Sequence, residues 1–253
     1  MIRRATAMDL APRVAANLAT VTARVAAAAA RSGRTSSDIR LVAVSKTFGV
    51  DHVEAAVSAG LRELGENKVQ EAARKRAATV GRGIAWHFIG HLQSNKARAA
   101  AETFDWIHSV DSVALLRRLD RVATDLHRSL NVLVQVDLAG ESTKHGASEA
   151  EVRRVVAAAV SCESIALRGL MVLPPWSKDP EQARPFFRRL RELRDEFATT
   201  TGQDLRLDHL SMGMSHDLEV AIEEGATIIR VGTAVFGPRP RPVASPGGRS
   251  RVF

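Results

Sequence analysis

A lysine at the end of a predicted buried strand is the first residue in this sequence that could do covalent chemistry. Leu41–Lys46 is a run of small and apolar residues, rich in valine, that ends in Lys46. Such a run is typical of a strand buried on both faces. One interpretation is that the lysine stem packs on the strand end while its amine reaches water. The other is that the amine, with a lowered pKa, forms a Schiff base with an aldehyde cofactor.

Groups that could bind a phosphate follow two later strands. Ser211–Ser215 is a turn rich in Ser and Gly that leads into a predicted helix near His216. Such a turn offers backbone N–H groups and hydroxyls to an anion. Further on, Arg230 precedes Gly232, which allows close backbone approach, and Thr233, which adds a hydroxyl. Each feature alone is also typical of a helix cap, a tight turn or a paired arginine.

Eight short apolar segments alternate with helical patterns and would position these groups. The predicted strands are 40–46, 61–66, 85–90, 105–110, 130–137, 165–173, 205–212 and 227–236. Helices are predicted at 9–32, 51–59, 67–78, 94–101, 112–127, from 148, at 180–199 and at 216–224. This alternation predicts an α/β fold, a single (β/α)8 TIM barrel with an extra N-terminal helix. The structural rival, a doubly wound open sheet, usually has a glycine-rich turn after its first strand, where only Gly49 stands.

A closed barrel would bring the candidate groups to one mouth. Function in such barrels gathers at the C-terminal ends of the strands, and phosphate is often held by the loops after strands 7 and 8. Because strand 8 neighbours strand 1, the lysine, the Ser211–Ser215 turn and Arg230 would share that mouth. We predict that the barrel spans residues 1–238 and that the segment rich in Pro, Gly and Arg, 239–253, is a disordered tail.

Composition argues against several classes of protein. The one cysteine, Cys162, allows no internal disulfide and favours a reducing compartment, which we take to be the cytoplasm. No apolar run reaches the length of about 18 residues that predicts a membrane span. The net charge is +8, but the basic residues are spread along the chain with acidic neighbours in between, and aromatic residues amount to only 4%. A solvated basic surface is therefore favoured over a specific nucleic-acid site. His87, His91 and Cys162 form no metal-ligand pattern.

Six blocks carry a family resemblance: Leu41–Thr47, Gly65–Glu71, Trp86–Lys96, Leu167–Met171, Ser211–Ser215 and Arg230–Gly237. In this order, over residues 10–238, they resemble the signature blocks of the pyridoxal phosphate homeostasis proteins, whose barrel is similar to the N-terminal barrel of alanine racemase. The resemblance implies a barrel like that of the fold type III enzymes of pyridoxal 5'-phosphate (PLP).

The resemblance also implies roles for individual residues. Lys46 would hold PLP covalently as an internal aldimine. Ser211, Gly232 and Thr233 would hold its phosphate, and Arg230 would face the pyridine nitrogen. Five further residues complete the implied cofactor site: Asn67, His87, Met171, Met212 and Gly213.

The implied function is that of a PLP carrier in intracellular vitamin B6 homeostasis, with little or no turnover. We therefore expect no catalytic residues and no enzyme activity. The implied partners are PLP and PLP-dependent apoenzymes as recipients, and the chain is expected to be a monomer. Arg230 supports this interpretation independently: a protonated guanidinium beside the pyridine nitrogen disfavours its protonation and makes the ring a poorer electron sink.

A PLP-dependent amino-acid racemase is the alternative. Racemisation resembling that of alanine racemase pairs the lysine with a tyrosine and uses a second, β-rich domain. This sequence contains no tyrosine, and only a short tail follows Phe236. His87 or His209 could substitute as the second base. A further alternative is a Schiff-base lysine acting on a sugar phosphate, which would lack the visible absorption of PLP.

Overall fold

Eight parallel strands close into a barrel in the part of the chain that the structure describes. The computed structural model describes residues 6–140, 145–200 and 205–238, apart from the side chains of residues 198–200. The strands are β1 (Arg40–Val44), β2 (Glu63–Glu66), β3 (Ala85–Phe88), β4 (Trp106–Val110), β5 (Leu130–Val136), β6 (Ile165–Val172), β7 (His209–Ser211) and β8 (Ile228–Val231). Each strand pairs in parallel with the next, and β8 pairs with β1. The predicted barrel is therefore confirmed, and the open sheet is excluded.

Helices follow the strands and cover the outside of the barrel. They are α1 (Ala7–Arg31), α2 (Val50–Ser58), α3 (Val69–Ala78), α4 (Ala97–Thr103), α5 (Val113–Asp125), α6 (Glu149–Ala159), α7 (Arg184–Thr200), α8 (Leu218–Glu223) and α9 (Thr233–Phe236). The extra N-terminal helix, α1, begins at a capping box formed by Thr6 and Asp9. It packs on α2, α8 and α9, over the junction between the first and last strands. No helix among the described residues is long and apolar enough to cross a bilayer.

The eighth strand is shorter than its sequence pattern predicts. The apolar run suggested a strand that continues to Phe236, but β8 ends at Val231. The carbonyl oxygen of Gly232 accepts hydrogen bonds from the N–H groups of Val235 and Phe236, at 3.0 and 2.9 Å. These bonds start α9 at Thr233, so the last part of the run is helical. The predicted disordered tail, 239–253, lies outside the described residues.

The barrel interior contains several buried polar side chains, where branched apolar residues usually dominate. Side chains alternate across each strand, and the outward ones join the helices in the main hydrophobic core. The inward apolar residues form a smaller, separate cluster: Val42, Trp106, Leu133, Met171 and Ile228. Buried polar residues on the strands add to this interior: His87, His108, Gln135, Ser211 and Arg230.

Candidate functional site

Lys46 lies in the turn between β1 and α2, at the C-terminal end of the barrel. β1 ends at Val44 rather than at Lys46, although Ser45 still donates a 3.0 Å backbone hydrogen bond to Gly65 of β2. The next residue, Thr47, has a φ of +72°, which is a left-handed conformation that β-branched residues rarely adopt. Such a conformation persists only where neighbouring contacts hold it. The Lys46 side chain is half-buried.

A buried ionic cluster supplies those contacts. The Lys75 cluster, as we call it, consists of Ser45, Glu66, Glu71 and Lys75. Nζ of Lys75 donates to the carbonyl oxygen of Ser45 at 2.8 Å, to Oε1 of Glu66 at 2.6 Å and to Oε1 of Glu71 at 2.8 Å. Glu71 also accepts a 2.9 Å hydrogen bond from the N–H of Thr47. Because Ser45 and Thr47 flank the candidate lysine, the cluster holds its backbone on both sides.

The two carboxylates of the Lys75 cluster differ in their electrostatics. Burial raises the pKa of Glu66, although hydrogen bonds from Lys75 and Ser45 oppose the shift. Burial also acts to raise the pKa of Glu71, but the hydrogen bond and the charge of Lys75 outweigh it and lower that pKa. The Lys75 ammonium therefore pairs with both carboxyl groups, and its loss would leave their negative charge without a counter-ion in a region of low dielectric constant.

Arg230 of β8 is the second charged group of the candidate site, and it is almost completely buried. Its Nη1 donates to Oγ of Ser211 at 2.7 Å, and its Nη2 donates to the carbonyl oxygen of Val172 at 2.9 Å. Its backbone N–H donates to the carbonyl oxygen of Gly213 at 2.9 Å, which joins β8 to the β7–α8 loop. Burial lowers the pKa of Arg230 to about 10, against an opposing effect of Asp217. The guanidinium therefore stays protonated at neutral pH.

The β7–α8 loop presents a different serine from the one that the sequence suggested for phosphate. The Ser211 hydroxyl is fully buried, and besides its bond to the guanidinium it lies 2.9 Å from Nδ1 of His108. The Met212 side chain belongs to the main core. Ser215, which was predicted only as part of the anion-binding turn and not as an individual phosphate ligand, is half-buried, and its Oγ accepts a 3.3 Å hydrogen bond from the N–H of Ala234. Side chains alternate across a strand, so a serine within β7, such as Ser211, can be turned into the barrel interior, whereas Ser215 lies in the loop beyond the strand. This difference is the sequence signal that could have favoured Ser215 as the phosphate ligand.

Two glycines set the position of the loops at this end of the barrel. Gly213 has a φ of +89°, and a Cβ there would lie 2.5 Å from Cβ of Ala221, so the loop packs tightly on α8. A Cβ on Gly232 would lie 3.4 Å from the carbonyl oxygen of Val44. The start of α9, with the exposed Thr233 as its first residue, is therefore adjacent to the end of β1, the strand that precedes the candidate lysine.

The remaining predicted site residues lie at different depths. Asn67 is half-buried in the β2–α3 loop, and its carbonyl oxygen would lie 2.4 Å from a Cβ on Gly90. Met171 is buried in the interior apolar cluster. His87 is also buried, and its Nε2 lies 2.5 Å from Oε2 of Glu63, the first residue of β2. That imidazole therefore points towards the N-terminal end of the barrel, which does not support a direct contact with a ligand at the opposite mouth.

Comparison with known proteins identifies the family. Residues 16–240 match the family model of the alanine racemase N-terminal domain. The pyridoxal phosphate homeostasis protein of Pseudomonas aeruginosa is 43% identical over 226 residues, which cover 89% of this chain and 96% of that protein. The chain belongs to the pyridoxal phosphate homeostasis protein family. The member from Aquifex aeolicus is 40% identical over 222 residues, which cover 88% of this chain and 96% of that protein.

A solved structure of the family carries the cofactor. PipY of Synechococcus elongatus PCC7942, with PLP bound, superposes with a TM-score of 0.78. It is 41% identical to this chain, and the match covers 88% of this chain and 100% of PipY. The fold that the resemblance implied is thus the fold of this family.

Proposed function

We propose that this chain carries PLP at the C-terminal mouth of its barrel, linked covalently to Lys46, and acts in PLP homeostasis with little or no turnover. The observation that carries the proposal is the position of Lys46, on a backbone held by the Lys75 cluster and next to Gly232 and Thr233, where β8 leads into α9. The structure of PipY with PLP bound supports PLP as the ligand.

The donors at this mouth suit the separate parts of PLP. A phosphate dianion needs hydroxyls and backbone N–H groups, which the half-buried Ser215 and the exposed Thr233 offer beside Gly232. Gly213 supports the same loop, and Met212 would contribute backbone only, because its side chain lies in the core. We therefore assign the phosphate role first proposed for Ser211 to Ser215.

Groups deeper in the barrel suit the ring. Arg230 is the cation that would face the pyridine nitrogen, and Ser211 supports it from below with a 2.7 Å hydrogen bond. Asn67 and Met171 remain predicted neighbours of the ring. We propose no direct contact between His87 and the PLP ring, because His87 is buried beside Glu63.

The chemistry follows from the charges of these groups. When bound, PLP supplies an aldehyde that condenses with an amine and releases water, and a ring that can withdraw electrons. Lys46 would provide the amine, which attacks only in its unprotonated form. Arg230 can donate hydrogen bonds but cannot accept them, so it opposes protonation of the ring nitrogen and weakens electron withdrawal. This combination favours holding the cofactor over carbanion chemistry.

The biological setting is part of the proposal. We propose that PLP-dependent apoenzymes receive the cofactor from this chain, and that the chain acts as a monomer. A cytoplasmic, reducing location is supported by the single cysteine, Cys162, which is a free thiol.

Borohydride reduction tests the proposed linkage. The protein is incubated with PLP, reduced and digested, and the modified peptide is identified by mass spectrometry. We expect the label on Lys46, and Lys46→Ala should lose both the label and the visible absorption band while its thermal unfolding in the absence of PLP matches that of the wild type without PLP. Lys96→Ala, which changes an exposed lysine of the β3–α4 loop, is the matched control and should keep both signals. A label on a different lysine, or no label, would contradict the proposal.

A further inference from the structure

A continuous chain of hydrogen bonds crosses the barrel interior from Arg230 to Glu63. Arg230 Nη1 lies 2.7 Å from Ser211 Oγ, and Ser211 Oγ lies 2.9 Å from His108 Nδ1. His108 Nε2 lies 2.9 Å from His87 Nδ1, and His87 Nε2 lies 2.5 Å from Glu63 Oε2. We call this set of five residues the Arg230–Glu63 relay. It joins groups from β8, β7, β4, β3 and β2, and both of its imidazoles are fully buried.

With both imidazoles neutral and Glu63 ionised, only one arrangement of protons satisfies every bond of the relay. A carboxylate can only accept, so a neutral His87 donates to Glu63 from Nε2 and accepts at Nδ1 from the Nε2–H of His108. Nδ1 of a neutral His108 then accepts from the Ser211 hydroxyl, whose oxygen accepts from the guanidinium of Arg230. Both imidazoles are thereby Nε2–H tautomers, an assignment that follows from the network together with these charge states.

The electrostatics of the relay agree with this arrangement. Burial lowers the pKa of His87 and lowers that of His108 well below its ordinary value, which keeps both rings neutral. Burial acts to raise the pKa of Glu63, but the hydrogen bond from His87, the electrostatic effect of that ring and the charge of Arg40 together outweigh it and lower that pKa. Glu63 is therefore the ionised end of the relay, opposite the cationic end at Arg230.

The relay gives a buried cation a remote counter-ion. Among the described residues, no carboxylate accepts a hydrogen bond from Arg230, and Asp217 acts on it only through its charge. A buried charge is costly unless it is compensated. Every O–H and N–H bond of the relay points away from the guanidinium, so each group turns its electron-rich atom towards the cation. Hydrogen-bonded groups aligned in this way polarise one another.

The far end of the relay is fixed at the N-terminal end of the barrel. The ring of Trp106 stacks on His87, with centroids 5.6 Å apart and an angle of 13° between the planes. The guanidinium of Arg40 lies 4.7 Å from the Trp106 ring centroid, and its Nε lies 3.5 Å from Oε1 of Glu63. The other charged or titratable groups that act on the two imidazoles are His209 and Asp105.

We propose that Glu63, His87, His108 and Ser211 are positioning residues for Arg230. The relay holds the guanidinium in one orientation and in its cationic form, and so keeps the ring nitrogen of a bound cofactor unprotonated. The effect on the ring nitrogen rests on the proposed PLP function, whereas the proton arrangement of the relay does not depend on PLP. Residues at the N-terminal end of the barrel thereby act on a site at the C-terminal mouth.

Comparison of two ligands separates positioning from a purely structural role. One ligand is PLP, and the other is 1-deazapyridoxal phosphate, in which carbon replaces the ring nitrogen. Ser211→Ala and His108→Leu both interrupt the relay, and we expect each to weaken PLP affinity about tenfold while the affinity for the deaza ligand stays within about twofold. His108→Gln, whose amide can both accept and donate, should restore most of the PLP affinity.

The matched control is His209→Gln. His209 also packs against Trp106, with ring centroids 5.4 Å apart, but it bonds to Thr227 and lies outside the relay. It should leave both affinities unchanged. Equal losses for the two ligands, or an unchanged PLP affinity in both relay variants, would overturn the positioning role. If His108→Leu does not fold, Ser211→Ala, which removes a single oxygen atom, decides the outcome.

A second measurement uses the protein without cofactor. Nitrogen-15 NMR of its histidine side chains should show His87 and His108 as neutral Nε2–H tautomers at pH 7. An Nδ1–H tautomer or a charged ring at either position would overturn the relay itself. If the wild-type protein bound neither ligand, the proposed PLP function would fail, while the NMR result would still decide whether the relay exists.

Discussion

Nζ of Lys75 donates a 2.8 Å hydrogen bond to the carbonyl oxygen of Ser45, and this bond joins α3 to the end of β1. Lys75 also pairs with Glu71 one turn earlier on α3, at 2.8 Å. Because Lys46 follows Ser45 directly, a helix on the outside of the barrel holds the backbone of the candidate lysine. The geometry of this turn therefore depends on tertiary contacts more than on its local sequence.

Replacing Lys75 by methionine should destabilise the protein strongly. Lys75→Met leaves Glu66 and Glu71 without their shared ammonium, and breaking a buried ion pair on one side costs about 3–5 kcal/mol. Urea unfolding measures this loss. Lys68→Met changes an exposed lysine and should alter the free energy of unfolding by no more than about 0.5 kcal/mol. Similar values for the two variants would show that the Lys75 cluster does not hold the turn.

Replacing Ser215 by alanine should weaken PLP binding selectively. A hydrogen bond to a charged group contributes about 1.5–3 kcal/mol, so Ser215→Ala should raise the Kd of PLP by about tenfold to a hundredfold. The Kd of pyridoxal, which has no phosphate, should change little. Equilibrium titration measures both values, and Ser94→Ala, at an exposed serine, is the control. Equal losses for the two ligands would place the phosphate elsewhere.

Acid should destabilise the folded protein because the relay imidazoles are buried as neutral rings. Their folded-state pKa values are lowered by burial. Below pH 6.5 or so, the ordinary histidine pKa, the unfolded chain binds protons that the folded protein excludes. The free energy of unfolding should therefore fall with pH, by about 1.4 kcal/mol per pH unit for each such histidine.

Two histidine variants test the source of this pH dependence. His108→Gln removes one titrating group, so its free energy of unfolding should fall less steeply between about pH 6.5 and pH 5. His216→Gln, at an exposed position, should retain the wild-type slope. Urea unfolding at a series of pH values gives both slopes. Equal slopes for His108→Gln and the wild type would contradict a neutral, buried His108.

The protein loaded with PLP should exchange little α-hydrogen of L-alanine in deuterated water. The sequence contains no tyrosine to act as a second base, and Arg230 disfavours ring protonation. NMR measures the exchange, and Lys46→Ala mixed with the same amount of PLP gives the background of the free cofactor. Turnover on the enzymatic scale of about 1 per second or more would instead support the racemase alternative.

Gly169 in β6 should tolerate no side chain. Its φ is +155°, and a Cβ there would lie 1.8 Å from the carbonyl oxygen of His209 in β7. Gly169→Ala should therefore cost about 3 kcal/mol or more, because the strand backbone must move. At Gly49 no atom lies within 4 Å of an added Cβ, so Gly49→Ala should cost less than about 1 kcal/mol. Equal urea unfolding midpoints would show that β6 can shift without loss.

The barrel and one end of its site could be predicted from the sequence. Strands and helices have hydrophobic periods that can be read locally, and eight alternating units leave few other topologies. Lys46 was recognisable because a charged residue followed an apolar run. The same local pattern placed the end of the eighth strand too late, because a short apolar run such as Val231–Phe236 is compatible with either a strand or a helix.

The tertiary structure decided which polar groups meet inside the barrel. Glu63, His87 and His108 each resemble an isolated polar residue in a strand, and no sequence spacing relates them to Arg230. Their contacts arise because closing the barrel staggers its strands and turns alternate side chains towards one axis. The same alternation turns Ser211 inward to the relay and leaves Ser215 in the loop at the mouth. Sequence patterns record the alternation along each strand, but the register between strands exists only in the closed barrel.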